Sequence, residues 1–291
     1  MFGLLNINKP SGPTSHDVVA RCRRLLPRKT RVGHAGTLDP FATGVLVVCV
    51  GPATRLADDV ADAAKQYVAE VTFGATSTTD DVEGEITPSG AAPPGRTEIE
   101  NALKPLVGRI QQAPPAYSAV HVDGQRAYKL ARAGQQVELA HRTVDVHAIE
   151  LMEFSGAIAR LRIDCGKGVY IRALARDLGQ SLGCGAYCSA LTRTRIGQFT
   201  LETAAKLDEL TRENLAEHLL PARLAVADWP NVELPAEPVA DLQMGRAVPS
   251  PTPFPPATGV AAVDTTGRLI ALCEFDDRRG LLVPRRVFPP T

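Results

Sequence analysis

The chain has 291 residues, 44% of them apolar and 22% charged, which is too apolar for disorder and enough to bury one large core, or a large core plus a small one. Its formal net charge is zero, and no run of about 18 apolar residues occurs, which argues against a membrane-spanning helix. The opening Met1-Phe2-Gly3-Leu4-Leu5-Asn6 lacks a charged segment followed by an apolar one, so a cytoplasmic chain without a signal peptide is expected.

Zero net charge conceals a polarised distribution. Residues 1–60 hold eight basic against four acidic side chains, and 160–195 hold seven against two. Residues 76–101 hold one against six, and 207–241 two against eight. A basic face can hold a phosphate backbone while acidic faces keep the whole near neutral, although charge alone also fits solvated faces with no partner. The six cysteines form no Cys-x-x-Cys pair and have no His at zinc-finger spacing, so buried free thiols are expected.

A helix is predicted over about 15–26, started by the Thr14/Asp17 capping pattern or by Ser15, with Val18, Val19, Cys22, Leu25 and Leu26 on one face. Arg21, Arg23 and Arg24 lie off that face, and Arg28, Lys29 and Arg31 extend the basic run past Pro27. A glycine-punctuated loop, Gly33 to Pro40, follows, and Pro40 biases Asp39 toward extended or turn backbone. Val45 to Val50 reads as a buried strand, Ala53 to Ala64 as a helix, and Gln66 to Phe73 as a strand with Tyr67, Ala69, Val71 and Phe73 on one face. Residues 76–96 read as a long polar loop. A helix capped by Thr97 and Glu100 comes next, then a hairpin turn at Asp123-Gly124. Strands near 142–154 and 157–165 are joined by Ser155-Gly156, and a helix spans about 171–182. Past Trp229-Pro230 the composition changes. Strands at Gly259 to Val263, Arg268 to Phe275 and Leu281 to Val283 suggest a small all-β unit of about 60 residues.

By itself an Asp before Pro is most often a turn former. The surrounding residues give it more weight. Gly33-His34-Ala35-Gly36-Thr37-Leu38-Asp39-Pro40-Phe41-Ala42-Thr43-Gly44-Val45-Leu46 resembles the catalytic motif of the TruB family of pseudouridine synthases. Gly3 to Ser15 resembles that family's opening segment, Lys65-Gln66-Tyr67 its second motif, and Gly166 to Arg172 with Asp177-Leu178-Gly179 its third. Gly183 to Tyr187 and Leu191-Thr192-Arg193 fit the segment after it. Ala35 stands where many members have Thr or Ser, and Tyr187 where His is expected, so Tyr187 is assigned no role.

The resemblance implies an α+β catalytic domain on a mixed, mostly antiparallel sheet, over 1–228, with an RNA-gripping insertion at about 104–140. It also implies a PUA-like all-β domain over 229–291. The implied activity is isomerisation of uridine to pseudouridine in the T-loop of tRNA, at position 55, by flipping the base out and by cleaving and re-forming its glycosidic bond. Nothing enters or leaves in that reaction, so no cofactor or metal is expected. Asp39 matches the catalytic carboxylate, Arg172 its guanidinium partner, which should lower the Asp pKa, and Tyr67 the active-site phenol. Tyr170 and Leu191 are expected beside the base, and His34 as the wedge that fills the space the base leaves. Lys9, Arg21, Arg24 and Arg31 are expected RNA contacts. The expected partner is the T-arm stem-loop of tRNA, with no membrane, no guide RNA and a monomeric enzyme. The competing readings are an RNA-folding scaffold without catalysis and a guide-RNA-dependent relative. A glycoside hydrolase would need a second positioned carboxylate, and no such pair stands out.

Overall fold

The structure is a computed structural model that describes residues 1–289 apart from 119, 123, 124, 134 and 136–138; for 121, 122, 126, 129, 131 and 132 it describes the backbone alone. Strand β1 (Gly3–Lys9) leads to helix α1 (Ser15–Leu25), which starts at the predicted cap. The Thr14 hydroxyl accepts the Asp17 N–H at 3.1 Å, and the Asp17 carboxylate accepts the Thr14 N–H at 2.9 Å. Gly33, His34 and Ala35, expected in a loop, instead belong to a short strand β2 (Val32–Ala35), because they pair antiparallel with β3 (Thr43–Val50). The single helix expected over 53–64 is a 3₁₀ turn, Gly51–Leu56, followed by α2 (Ala57–Asp62). There the Thr54 hydroxyl takes the Gly51 carbonyl at 2.9 Å and competes with the helical ladder.

β4 (Lys65–Phe73) buries Tyr67, Ala69, Val71 and Phe73 as its alternation predicts. The long loop expected over 76–96 contains a hairpin, β5 (Ala75–Ser77) with β6 (Ile86–Pro88). α3 (Arg96–Leu103) is capped two residues earlier than predicted: Glu98 accepts the Gly95 N–H at 2.6 Å, while Glu100 pairs with Arg96. β7 (Gly108–Gln112) joins the edge of the main sheet, and the segment after it falls within the 104–140 stretch expected as an insertion. It holds β8 (His121–Val122) paired with β9 (Gln125–Arg126), then α4 (Ala127–Arg132); the turn predicted at Asp123-Gly124 lies outside the described residues.

β10 (Arg142–Ser155) and β11 (Ile158–Cys165) form the predicted hairpin, followed by α5 (Ile171–Ser181) and β12 (Ala186–Ile196). Short strands β13 (Phe199–Thr200), β14 (Ala205–Lys206) and β15 (Leu219–Leu220) complete the sheet. Among the described residues it has eleven strands in the order β14-β1-β3-β12-β4-β11-β10-β7, with β13, β15 and β2 alongside. Only β1–β14 and β3–β12 run parallel. The β3–β12 contact sets Arg193 against Gly44. Gly44 has φ 103°, and a Cβ there would sit 2.2 Å from the Arg193 carbonyl oxygen, so glycine is required for this approach.

The C-terminal unit has more parts than predicted: β16 (Asn231–Leu234), α6 (Ala236–Gln243), β17 (Val248–Pro249), β18 (Gly259–Asp264), β19 (Leu269–Asp276) and β20 (Leu281–Val287). Its sheet runs β16-β18-β19-β20-β17. The unit shares a core with the body, since Ala261, Val263, Leu272 and Phe288 pack with Leu4, Val45, Val47 and Leu56. Phe2 stacks on Phe288 at 5.3 Å, and Arg286 pairs with Asp59 at 2.5 Å. All six cysteines are free and buried, and no helix among the described residues is long and apolar enough to cross a membrane.

Candidate active site

Asp39 sits in the turn between β2 and β3, braced from three sides. The Ser15 hydroxyl at the start of α1 donates to the Leu38 carbonyl at 3.0 Å and accepts the Leu38 N–H at 2.9 Å. Lys9 donates to the carbonyls of Pro10, Pro13 and Pro40 at 2.9, 2.9 and 3.0 Å. Arg193, buried on β12, donates to Gly36, Thr37 and Val45 carbonyls at 3.0, 3.2 and 2.8 Å. Two buried cations thus gather the carbonyls of this turn and of the β1–α1 connection.

Arg172, on the first turn of α5, meets the loop head-on. Its Nε lies 2.9 Å from Asp39 Oδ2, and its Nη2 donates to Asp39 Oδ1 at 3.3 Å. Nη1 donates to Asp81 Oδ2 at 3.0 Å and the Thr79 carbonyl at 2.9 Å, and Nη2 also donates to the Tyr117 carbonyl at 3.0 Å. The two aspartates differ in accessibility. Asp81 is 2% exposed, and its other oxygen accepts the Thr79 hydroxyl and the Glu83 N–H. Asp39 keeps 32% of its side chain exposed. Of the two, Asp39 is the carboxylate open to solvent, while Asp81 is taken up in holding Arg172.

Burial pushes the Asp39 carboxyl above its ordinary 3.8; Arg172 pulls it down, and Asp81 adds to the rise. The guanidinium contact expected from the sequence is present, but desolvation outweighs it.

Tyr67 lies across from Arg193 in the β4–β12 ladder, and Leu191 lies across from Ala69. Tyr67 and Leu191 share one core cluster with Leu38 and Ala42, which flank the Asp39 turn. Burial raises the Tyr67 phenol above its usual value, which keeps it protonated. Tyr170 caps α5, with its N–H and carbonyl bonded to the Gln112 side chain at 2.8 and 3.1 Å and the Arg142 guanidinium 4.7 Å from its ring centroid. His34, half-buried on β2, has Nδ1 buried without a partner, and desolvation lowers its pKa, so the ring is neutral at neutral pH.

Arg21, Arg24 and Arg31 are exposed on the α1 side of the fold. Lys9 is not: it is fully buried and its ammonium is spent on three carbonyls, so its expected RNA contact is corrected to a role in shaping the loop. Burial lowers its pKa to about 8. Sequence reasoning missed Asp81, Arg193 and the pair Arg176–Asp80. Arg193 carried a visible signal, a charge in an otherwise inward-facing strand position; the aspartates sat in a segment whose polarity reads as solvent exposure.

The TruB family pseudouridylate synthase N-terminal domain matches residues 23–171, more than half of the chain. The chain belongs to the TruB family. Residues 172–227 match the tRNA pseudouridylate synthase B C-terminal domain, so the boundary between the two matched domains falls at Arg172. A TruB-family relative from Syntrophomonas wolfei, tRNA pseudouridine synthase B, is 40% identical over 99% of both chains. Another of that name, from Arthrobacter sp., is 40% identical over 100% of this chain and 98% of its own. Among solved structures, a Cbf5-Nop10-Gar1 complex has a chain that aligns with TM-score 0.76 and 30% identity, covering 99% of this chain and 85% of that one. This TruB chain is accordingly a pseudouridine synthase on the pseudouridine synthase fold.

Proposed function

We propose that the chain isomerises uridine to pseudouridine in the T-loop of tRNA, at position 55, with Asp39 as the catalytic carboxylate. The observation that carries this reading is the pairing of one open aspartate, Asp39, with a guanidinium held from behind by a closed one, Asp81. The relatives' shared name, tRNA pseudouridine synthase B, supports tRNA as the substrate.

The reaction breaks N1–C1′, turns the base and forms C5–C1′; the C5 proton leaves and N1 gains one, so the product is an isomer. Positive character builds at C1′ as the first bond breaks. The ionised Asp39 beside it attacks the sugar, or accepts the C2′ proton to give a glycal. Arg172 fixes the carboxylate's orientation. The base must leave the RNA stack to reach Asp39, which costs a few kcal/mol. The neutral half-buried His34 supplies a ring to fill the vacated position, and Leu191, Tyr170 and Tyr67 line the base pocket. Tyr67 can stack on the base; held protonated by burial, it must first lose its proton before it can take the C5 proton. Exposed Arg21, Arg24 and Arg31 give phosphates a positive surface. The unit 229–291 serves as a PUA-like second RNA-binding surface, and the enzyme acts as a monomer.

The alignment with a Cbf5 chain favours one second reading, dependence on a guide RNA. Near-complete coverage of tRNA pseudouridine synthase B relatives weighs against it. T-arm RNA tritiated at uridine C5 separates the readings. Tritium release without guide RNA is expected, and Asp39→Asn lowers the rate at least about 10³-fold while RNA binding persists. Release by the Asn variant near the wild-type rate would remove Asp39 from the chemistry. Release only when guide RNA is added would establish the second reading.

A further inference from the structure

Arg172 and Arg176 stand four residues apart on α5 and so share a helical face. Arg172 takes Asp81 on one side and the Tyr117 carbonyl of the insertion on the other. Arg176 repeats the arrangement one turn on. Its Nη1 pairs with Asp80 Oδ2 at 3.0 Å, its Nη2 donates to the Ala113 carbonyl at 2.8 Å, and its Nε donates to Asp177 Oδ1 at 2.9 Å. Each arginine therefore joins one of two consecutive aspartates to one carbonyl at the base of the insertion.

Two local features make this double link possible. Asp80 has left-handed backbone, φ 61°, which Asp and Asn tolerate better than most residues. Extended backbone would send neighbouring side chains to opposite faces; the turn lets both reach α5. The turn is also fixed at its back, where the Asp80 carbonyl accepts the Cys188 N–H at 3.0 Å. On the insertion side, Pro114 and Pro115 offer no N–H, so the segment is held through carbonyls and through Gln112 on Tyr170. Arg176 and Asp80 side chains are 22% and 14% exposed, so the pair is not a solvent-screened surface bridge.

We infer that Arg176 is a positioning residue: through Asp80 and Ala113 it locks the base of the RNA-gripping insertion to the turn that carries Asp81, and so keeps the insertion and the Arg172–Asp39 pair in one register. Resting on Asp39 as the catalytic carboxylate, this link makes the grip on RNA and the seating of Arg172 parts of one rigid unit.

Arg176→Gln, Asp80→Asn and the double variant test it under single-turnover conditions on tritiated T-arm RNA, beside wild type and Asp39→Asn. Asn preserves the left-handed preference at position 80, and the double variant, unlike either single one, removes both charges of the pair together. Each single variant is expected to slow the reaction about tenfold, and the double little more, because both break one link. The groups facing Asp39 are Arg172, Asp81, Arg193, Lys9, Tyr67 and Cys188. Of these, Arg172 supplies the main downward pull, so a loosened Arg172 moves the acid limb of the rate profile to higher pH. Rates equal to wild type, or losses that follow the folded fraction with an unmoved limb, overturn the coupling. An active Asp39→Asn overturns instead the assignment of the catalytic carboxylate; an inactive one beside wild-type-like Arg176 and Asp80 variants overturns the coupling alone.

Discussion

The turn around Asp39 is held by charge: Arg172, Arg193 and Lys9 are buried and each is met by carbonyls, with carboxylates added at Arg172. The seam beneath the C-terminal strands is held mainly by apolar contact, with Phe288 fully buried against Phe2 and the ion pair Arg286–Asp59 at its margin. Buried charge adds little net stability, since desolvation opposes attraction, but it fixes direction. Apolar burial stabilises without directing. The molecule thus places buried charge where a carboxylate's direction is fixed, and apolar contact where a unit is held in place.

That contrast can be broken by substitution. After Asp39→Asn, the largest effect is expected for Arg172→Ala, which strands the buried Asp81. It should cost about 3–5 kcal/mol of stability and, separately, at least about 10²-fold in rate per folded molecule. Denaturant melts and single-turnover assays separate the two losses, and an unchanged rate would mean that Arg172 only holds the fold. Phe288→Ala should destabilise by a comparable amount, about 3–5 kcal/mol, by leaving a cavity in the seam. Its rate per folded molecule should stay within about twofold, since the seam orients nothing in the Asp39 turn. A large rate loss in that variant would dissolve the distinction between the regions.

The pH dependence sharpens the same comparison. Asp39 is raised above 3.8 mainly by burial, so with saturating RNA the rate should fall on acidification through a value above 3.8, as the carboxylate takes a proton. A limb at or below 3.8 would show that Arg172 outweighs desolvation. The sign for stability is opposite. The folded state holds that proton more tightly than the unfolded chain, so this group's contribution falls as pH rises from 3.8 through the raised value. The smallest effect belongs to Thr14→Ala, which removes the helix cap from α1 and should cost about 1 kcal/mol in a denaturant melt.

Much of the architecture was legible along the chain. Alternation in residues 66–73, the β-branched run at 45–50 and the Thr14/Asp17 pair are local patterns, and the strands and helix formed where they pointed. The motif around Asp39 likewise led to a site in which Arg172 meets the carboxylate. Less legible were elements shaped by partners far away. The hairpin over 75–88 looked like solvent loop because its aspartates follow no period; their partners are 91 and 96 residues distant on α5. Lys9 looked like a phosphate contact because the three carbonyls that enclose it include one 31 residues away, at Pro40.

From its residues alone this protein's periodic elements and its helix start at Thr14 could be read, because hydrophobic spacing and capping act within a few residues of the chain. Which charge meets which was decided only by tertiary structure. The parallel contact of β3 with β12 brought Arg193 under the loop, and the turn at Asp80 aimed two carboxylates at one helix. Charge pairing depends on distance in space and on loss of water, and neither is encoded in a residue's near neighbours.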